Sequence, residues 1–204
     1  IGTYYHPRAV LIDIEFLMDL PEREFLSGMG EVIKSAVIKD KGLCNYLLDH
    51  SETILRRDQN RIQEMVRWTV QIKLDHVQED VREKGIRLHL NYGHTIGQSI
   101  EMATGTGNEI YRHGEAVCLG MMAVANLADH YYDDDLDRVG FHRRLLEAFN
   151  LPYAIDMSQI SVDLPTLEGT IYENLKKDKK RTAAGLRFVL VPELGSAKVV
   201  TGIE

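Results

Sequence analysis

Cysteine is scarce in this 204-residue chain. Only Cys44 and Cys118 are present, far apart and in no CxxC arrangement. Neither a disulfide framework nor a cysteine-based zinc site is indicated, and a reducing, cytoplasmic setting is expected. Positive charge is in deficit, with 24 Lys and Arg against 31 Asp and Glu for a net charge of −7. A broad basic footprint for nucleic acid is therefore not expected. No apolar run approaches the ~18–20 residues that a membrane span needs. Internal repeats, low-complexity stretches, Ser/Gly linkers and the short zinc signature HExxH are also missing. Asp133-Asp134-Asp135 lacks the twelve-residue register of a calcium loop. What remains is an ordinary globular balance, 44% apolar and 27% charged, in a chain long enough to bury a real core. It opens Ile1-Gly2-Thr3-Tyr4-Tyr5 without Met, so it reads as a sequence that begins in mid-protein.

The patterning predicts a mainly α domain over residues 1–204. Val10-Leu11-Ile12-Asp13-Ile14 is β-branched and apolar, and reads as a short N-terminal strand. Pro21 suits a helix start, and Phe25, Met29, Val32, Ile33 and Ala36 recur at three- and four-residue spacing, so 21–39 reads as an amphipathic helix. A second helical block is predicted over 51–78. Residues 114–131 are apolar nearly all round and predict a central buried helix. Helices are further expected over 136–149 and 164–177, followed by a C-terminal β-hairpin, with 186–191 and 198–200 flanking Pro192-Glu193-Leu194-Gly195.

Three segments carry more polar chemistry than folding requires. In Gly28-Met29-Gly30-Glu31-Val32-Ile33-Lys34, two glycines inside a helix cost roughly 1 kcal/mol each relative to Ala, so something is expected to approach the backbone. Glu31 and Lys34 share a face there. In the second segment, a helical reading of 87–98 pairs Arg87 with Asn91 and His94 with Gln98. The third, Arg112-His113-Gly114-Glu115, sets a histidine at the start of the most apolar helix. Each has an ordinary alternative: a solvated Glu–Lys pair, a core histidine, a surface helix cap. Taken together, Glu31, His94 and His113 offer one carboxylate and two imidazoles, the three-ligand set of a catalytic zinc site, although spacing alone leaves those alternatives open. The charge run 176–181 is read by default as solvated.

Four blocks carry a resemblance. Leu20-Pro21-Glu22-Arg23-Glu24 with Gly28–Lys34 resembles the LPxRE…GxAEVIK block of 3-dehydroquinate synthases. Arg82-Glu83…Gly85-Ile86-Arg87…Leu90-Asn91-Tyr92-Gly93-His94-Thr95-Ile96-Gly97 resembles their RE.GxRxxLNxGHTxG block. His113-Gly114-Glu115-Ala116-Val117…Gly120-Met121 is similar to their HGEAVxxGM, and Asp178-Lys179-Lys180 to their DKK. The resemblance covers the helical C-terminal half of the family; the N-terminal α/β half, which holds most of the NAD site, is absent from this chain.

The resemblance implies that Glu31, His94 and His113 bind Zn2+ or Co2+. It implies that Lys34, Lys73, Glu83, Arg87, Asn91 and Lys179 line the substrate pocket, and that Phe16-Leu17-Met18-Asp19 touches NAD. Asp19 departs from the family's Thr, and Gln98 replaces the family's last His in GHTxGH, an exchange that removes a titratable ring. The implied activity belongs to the shikimate pathway: 3-deoxy-D-arabino-heptulosonate 7-phosphate is converted to 3-dehydroquinate and phosphate. The route is transient oxidation by NAD, phosphate elimination, re-reduction and aldol closure. A homodimer is implied too. The alternatives are a related cyclase acting on sedoheptulose 7-phosphate or glucose 6-phosphate, and a non-catalytic helical binding or dimerisation module.

Overall fold

The computed structural model describes residues 5–105, 110–177 and 186–203. Eight helices and one hairpin make up its regular structure among those residues: α1 (Glu15–Met18), α2 (Glu22–Lys39), α3 (Lys41–Leu55), α4 (Gln59–Glu79), α5 (His94–Thr104), α6 (His113–Tyr132), α7 (Arg138–Glu147), α8 (Leu164–Lys177), β1 (Arg187–Glu193) and β2 (Ser196–Thr201). Short 3-10 helices occupy Ile86–Asn91 and Met157–Gln159.

The N-terminal strand expected at Val10–Ile14 does not form. Residues 9–13 have no regular structure, Ile14 caps the single turn of α1, and Leu11 is 96% exposed. A β-branched run makes a strand only where another strand accepts its hydrogen bonds, and the one sheet among the described residues is the C-terminal hairpin. The predicted block 51–78 is also two helices rather than one. Arg57 takes a left-handed backbone (φ 61°) and Asp58 then caps α4 by accepting the Arg61 N–H at 3.0 Å. Arg57 holds that kink in place: its guanidinium donates to the carbonyls of Leu17, Met18 and Leu20 and stacks over the Phe25 ring.

Helix α2 starts where Pro21 and the acidic first turn predict. It stops at Asp40, whose Oδ1 accepts from the N–H groups of Gly42 and Leu43 while Oδ2 accepts from Trp68 Nε1 at 2.7 Å. One aspartate thus turns the chain from α2 into α3 and pins both to α4. The apolar faces of α2, α3, α4, α6 and α7 and strand β1 enclose the main core, including Ile33, Val37, Leu47, Ile62, Met121, Leu145, Phe149 and Leu190. A smaller apolar cluster of Ile100, Tyr111, Ala116 and Leu119, with Ile171 against it, lies beside α5, which packs on both α6 and α8. In the antiparallel hairpin Arg187 faces Thr201 and Leu190 faces Lys198, with an irregularity before the Leu194-Gly195 turn. Among the described residues, no helix is long and apolar enough to cross a membrane.

Candidate metal centre and adjoining pocket

Three backbone contacts set the site. At α2 and α6 the helices approach until a Cβ on Gly30 would lie 2.6 Å from the Gly114 carbonyl oxygen, and one on Gly114 would lie 1.8 Å from that of Ser27. The neighbour that the α2 glycines anticipate is therefore helix α6, and it meets Gly30 only, since Gly28 has open space. At the third contact, Gly93 adopts φ +74° against Met121 and the Val117 carbonyl, which ends the preceding segment and opens α5 at His94. The single helix read over 87–98 is therefore a 3-10 turn, a left-handed glycine and the first turn of α5. Glu115 secures α6: it accepts the Arg112 N–H at 2.8 Å and a two-pronged contact from Arg23.

These contacts bring Glu31, His94 and His113 together, with one ligand atom from each within 4.8 Å of the others. Glu31 Oε1 lies 3.3 Å from His94 Nε2 and 3.6 Å from His113 Nε2. The other ring nitrogens are engaged elsewhere. His94 Nδ1 sits 3.1 Å from the Tyr92 carbonyl and His113 Nδ1 sits 3.0 Å from Glu101 Oε2. Both acceptors require a proton on Nδ1, so in the neutral rings both Nε2 lone pairs converge on a carboxylate oxygen that is itself buried without a hydrogen-bond partner. Lone pairs facing one another call for a cation between them. In a tetrahedral site with bonds of about 2.1 Å the donor atoms stand roughly 3.4 Å apart, which fits the distances here. An oxygen and two imidazoles suit Zn2+ or Co2+.

Lys34 completes the Glu31 carboxylate from the other side, donating to Oε2 at 2.5 Å. Lys34 is 5% exposed while the Glu31 side chain is 40% exposed, so the Glu–Lys pair is half-buried rather than solvated. Burial works to raise the Glu31 pKa, but the neighbouring His94 ring and the charge and hydrogen bond of Lys34 prevail and hold it down at about 2. Burial pushes the Lys34 ammonium below the ordinary lysine range against the pull of Glu31, and Lys73 pushes the same way.

A cavity of about 410 Å³ opens beside this centre, and Glu31, Lys34, Lys73, Glu83, Arg87, Asn91 and His94 all line it. Its far wall is a built turn. Asp80 accepts from the N–H groups of Lys84, Gly85 and Arg87, and Glu83 occupies a left-handed conformation (φ 55°) that costs a non-glycine residue about 1–2 kcal/mol. The Glu83 carboxylate then accepts from Asn91 Nδ2 at 2.8 Å. Gln98 is one turn beyond His94 on α5, half-buried and outside the cavity lining. Phe16, Leu17, Met18 and Asp19 form the single turn of α1 and its cap, which Arg57 anchors, and do not line the cavity. Lys179 lies outside the described residues. Sequence spacing gives no sign of one partner: Glu101, seven residues after His94, matters only once α6 has brought His113 to it.

In fold the chain is similar to solved sugar-phosphate cyclases. These include a 2-deoxy-scyllo-inosose synthase complexed with carbaglucose-6-phosphate, NAD+ and Co2+ (TM-score 0.81, 26% identity, 99% of this chain and 54% of that one). Another is 2-epi-5-epi-valiolone synthase from Streptomyces hygroscopicus subsp. jinggangensis 5008 with NAD+ and Zn2+ bound (TM-score 0.79, 25% identity, 100% and 54%). Sequence is more specific. The family model of the 3-dehydroquinate synthase C-terminal domain matches residues 28–181. The chain is 41% identical over 201 residues to 3-dehydroquinate synthase of Geobacter metallireducens, covering 98% of this chain and 53% of the relative. It is 39% identical over 205 residues to that of Acidithiobacillus ferrooxidans, covering 99% and 52%. The chain belongs to the 3-dehydroquinate synthase family, and it spans about half the length of the curated relatives it matches.

Proposed function

We propose that this chain is the metal- and substrate-binding half of a 3-dehydroquinate synthase, a lyase that converts 3-deoxy-D-arabino-heptulosonate 7-phosphate to 3-dehydroquinate and phosphate. The observation that carries the reading is the convergence of Glu31, His94 and His113 on one point at the wall of a cavity that holds two lysines and an arginine. Glu31, His94 and His113 would hold Zn2+ or Co2+, and Phe16, Leu17, Met18 and Asp19 would meet NAD from this side of the cleft. When bound, the metal polarises a substrate oxygen and NAD accepts and returns a hydride.

The chain's own residues bind and orient. Arg87 presents a planar fork suited to a carboxylate or phosphate, and Lys34 and Lys73 add point charges on the opposite wall. Lys179, from the Asp178-Lys179-Lys180 block, would add a further charge to the substrate. Asn91, braced by Glu83, offers its amide group to a hydroxyl. Gln98 would contact substrate by hydrogen bonding without carrying a proton. Holding one flexible, doubly anionic molecule in this way makes each later step unimolecular. A homodimer of the full-length protein in the cytoplasm goes with this reading.

A related cyclase activity is the second reading. The solved neighbours and Gln98 favour it, whereas ~40% identity to 3-dehydroquinate synthases against 25–26% to the cyclases favours the first. The deciding experiment follows phosphate release by the full-length protein with NAD+ and Zn2+ or Co2+, offered the heptulosonate phosphate, sedoheptulose 7-phosphate and glucose 6-phosphate in parallel. Release from the heptulosonate phosphate alone is expected. Release from another sugar phosphate instead would transfer the assignment to that cyclase, and no release from any would leave a binding module.

A further inference from the structure

We infer that Glu101 is a positioning residue for the metal centre: by accepting the Nδ1 proton of His113, it fixes the tautomer and the aim of the ring, so that Nε2 faces the ion. The inference rests on the metal reading of Glu31, His94 and His113.

The two histidine ligands are held very differently. His94 follows a left-handed glycine and donates to the carbonyl of Tyr92, a fully buried residue, so backbone alone orients it. His113 is the first residue of α6, its side chain is 47% exposed, and among the described residues no backbone group holds its ring. Its Nδ1 contact is the Glu101 carboxylate, 3.0 Å away and projecting from the second turn of α5. An imidazole at an open helix start can flip or shift its proton between nitrogens. A proton shift turns an N–H toward Glu31 Oε1 and a flip turns a C–H there, so either change removes a ligand lone pair. A carboxylate at Nδ1 forbids both and raises the basicity of Nε2. The pair is too exposed for its ion contact to matter much to folding (side chains 47% and 39% exposed).

The test uses the full-length protein with Glu101→Gln, Glu101→Ala and, as a ligand-loss control, His113→Ala. Zn2+ affinity is read by competition with a chromophoric chelator, and the visible absorption of the Co2+ form reports ligand geometry. For Glu101→Ala, Zn2+ binding 10–100-fold weaker and an altered Co2+ spectrum are expected, with the thermal midpoint of the metal-free protein unchanged. Glu101→Gln keeps an acceptor for the Nδ1 proton but no charge, and should fall between Glu101→Ala and the parent. Affinity within twofold of the parent and an identical Co2+ spectrum for Glu101→Ala would overturn the inference while leaving the metal centre standing. Failure of the parent itself to bind Zn2+ or Co2+ would instead overturn the metal reading, and this inference with it.

Discussion

Tyr92 and His94 stand two residues apart and face two histidine clusters built on opposite rules. Behind, the Tyr92 hydroxyl donates to His142 Nε2 at 2.9 Å, and His142 Nδ1 donates to the Arg138 carbonyl at 2.7 Å. Arg138 in turn spends its guanidinium on Asp129, Asp134 and the carbonyls of Val191 and Pro192. All three residues are buried and every ring nitrogen and hydroxyl is used. In front, His94 and His113 turn Nε2 toward Glu31 Oε1, which is buried with no hydrogen-bond partner. Histidine and carboxylate side chains take part in a closed network on one side and, on the other, in an open set that could hold a metal ion. A polar cluster that satisfies itself fixes a fold, whereas one that leaves lone pairs facing each other is waiting for a cation.

Breaking the front should cost function and spare the fold. His94→Ala in the full-length protein is expected to reduce bound Zn2+ or Co2+ to background by elemental analysis, with helical circular dichroism and the metal-free thermal midpoint close to the parent. Retention of metal would remove His94 from the ligand set. Breaking the back should do the reverse. Arg138→Met leaves two part-exposed carboxylates and two carbonyls without their donor, and a loss of about 2–3 kcal/mol is expected in urea unfolding, whereas a loss below ~1 kcal/mol would mean that the network behaves like a surface pair.

A smaller change tests whether the two sides are coupled through the segment between them. A Cβ on Gly120 would fall 2.0 Å from the Gly93 carbonyl and 2.7 Å from the Gly97 nitrogen. Gly120→Ala should therefore cost about 1–3 kcal/mol of stability by overpacking, and should also weaken Zn2+ binding by moving His94. Weaker stability with unchanged metal affinity would show that the strain is absorbed without moving His94 and that the two sides are not coupled through this segment.

Much of this architecture was legible in the residues because local rules agreed with the final packing. Pro21 with Glu22 and Glu24, and the spacing from Phe25 to Ala36, mark α2, and residues 164–177 form α8 over the predicted bounds. The failures are equally physical. Val10–Ile14 has strand composition but no strand to pair with, and pairing is not a local property. The break at Arg57 hides in a non-glycine residue held left-handed by contacts to α1, although Asp58 followed by the apolar pattern of α4 was a readable cap. At the site, Glu31, His94 and His113 were nameable by resemblance, while spacing alone left them among ordinary alternatives, because they come from three helices brought together by close glycine contacts at Gly30, Gly93, Gly97, Gly114 and Gly120. Glu101 had no signal beyond sharing α5 with His94.

The mildest perturbation is acid, acting on the closed side. Burial lowers the pKa of His142 below the ordinary histidine value of 6.5, against the pull of the Arg138 carbonyl and of Asp129, and burial lowers His89 as well. A histidine kept neutral in the folded state and free to protonate in the unfolded chain contributes its full stability above about 6.5, and that contribution shrinks as pH falls below it toward the depressed folded value. Each such proton has a limiting slope of about 1.4 kcal/mol per pH unit. Urea unfolding of the metal-free protein between pH 7.5 and pH 5 should therefore show falling stability, and His142→Gln should flatten the curve: its amide can accept from Tyr92 and cannot titrate. The metal-free form is needed because protons also compete for the ligand imidazoles. An unchanged slope in His142→Gln would move the acid sensitivity to His89, and the closed network would then be indifferent to pH over this range.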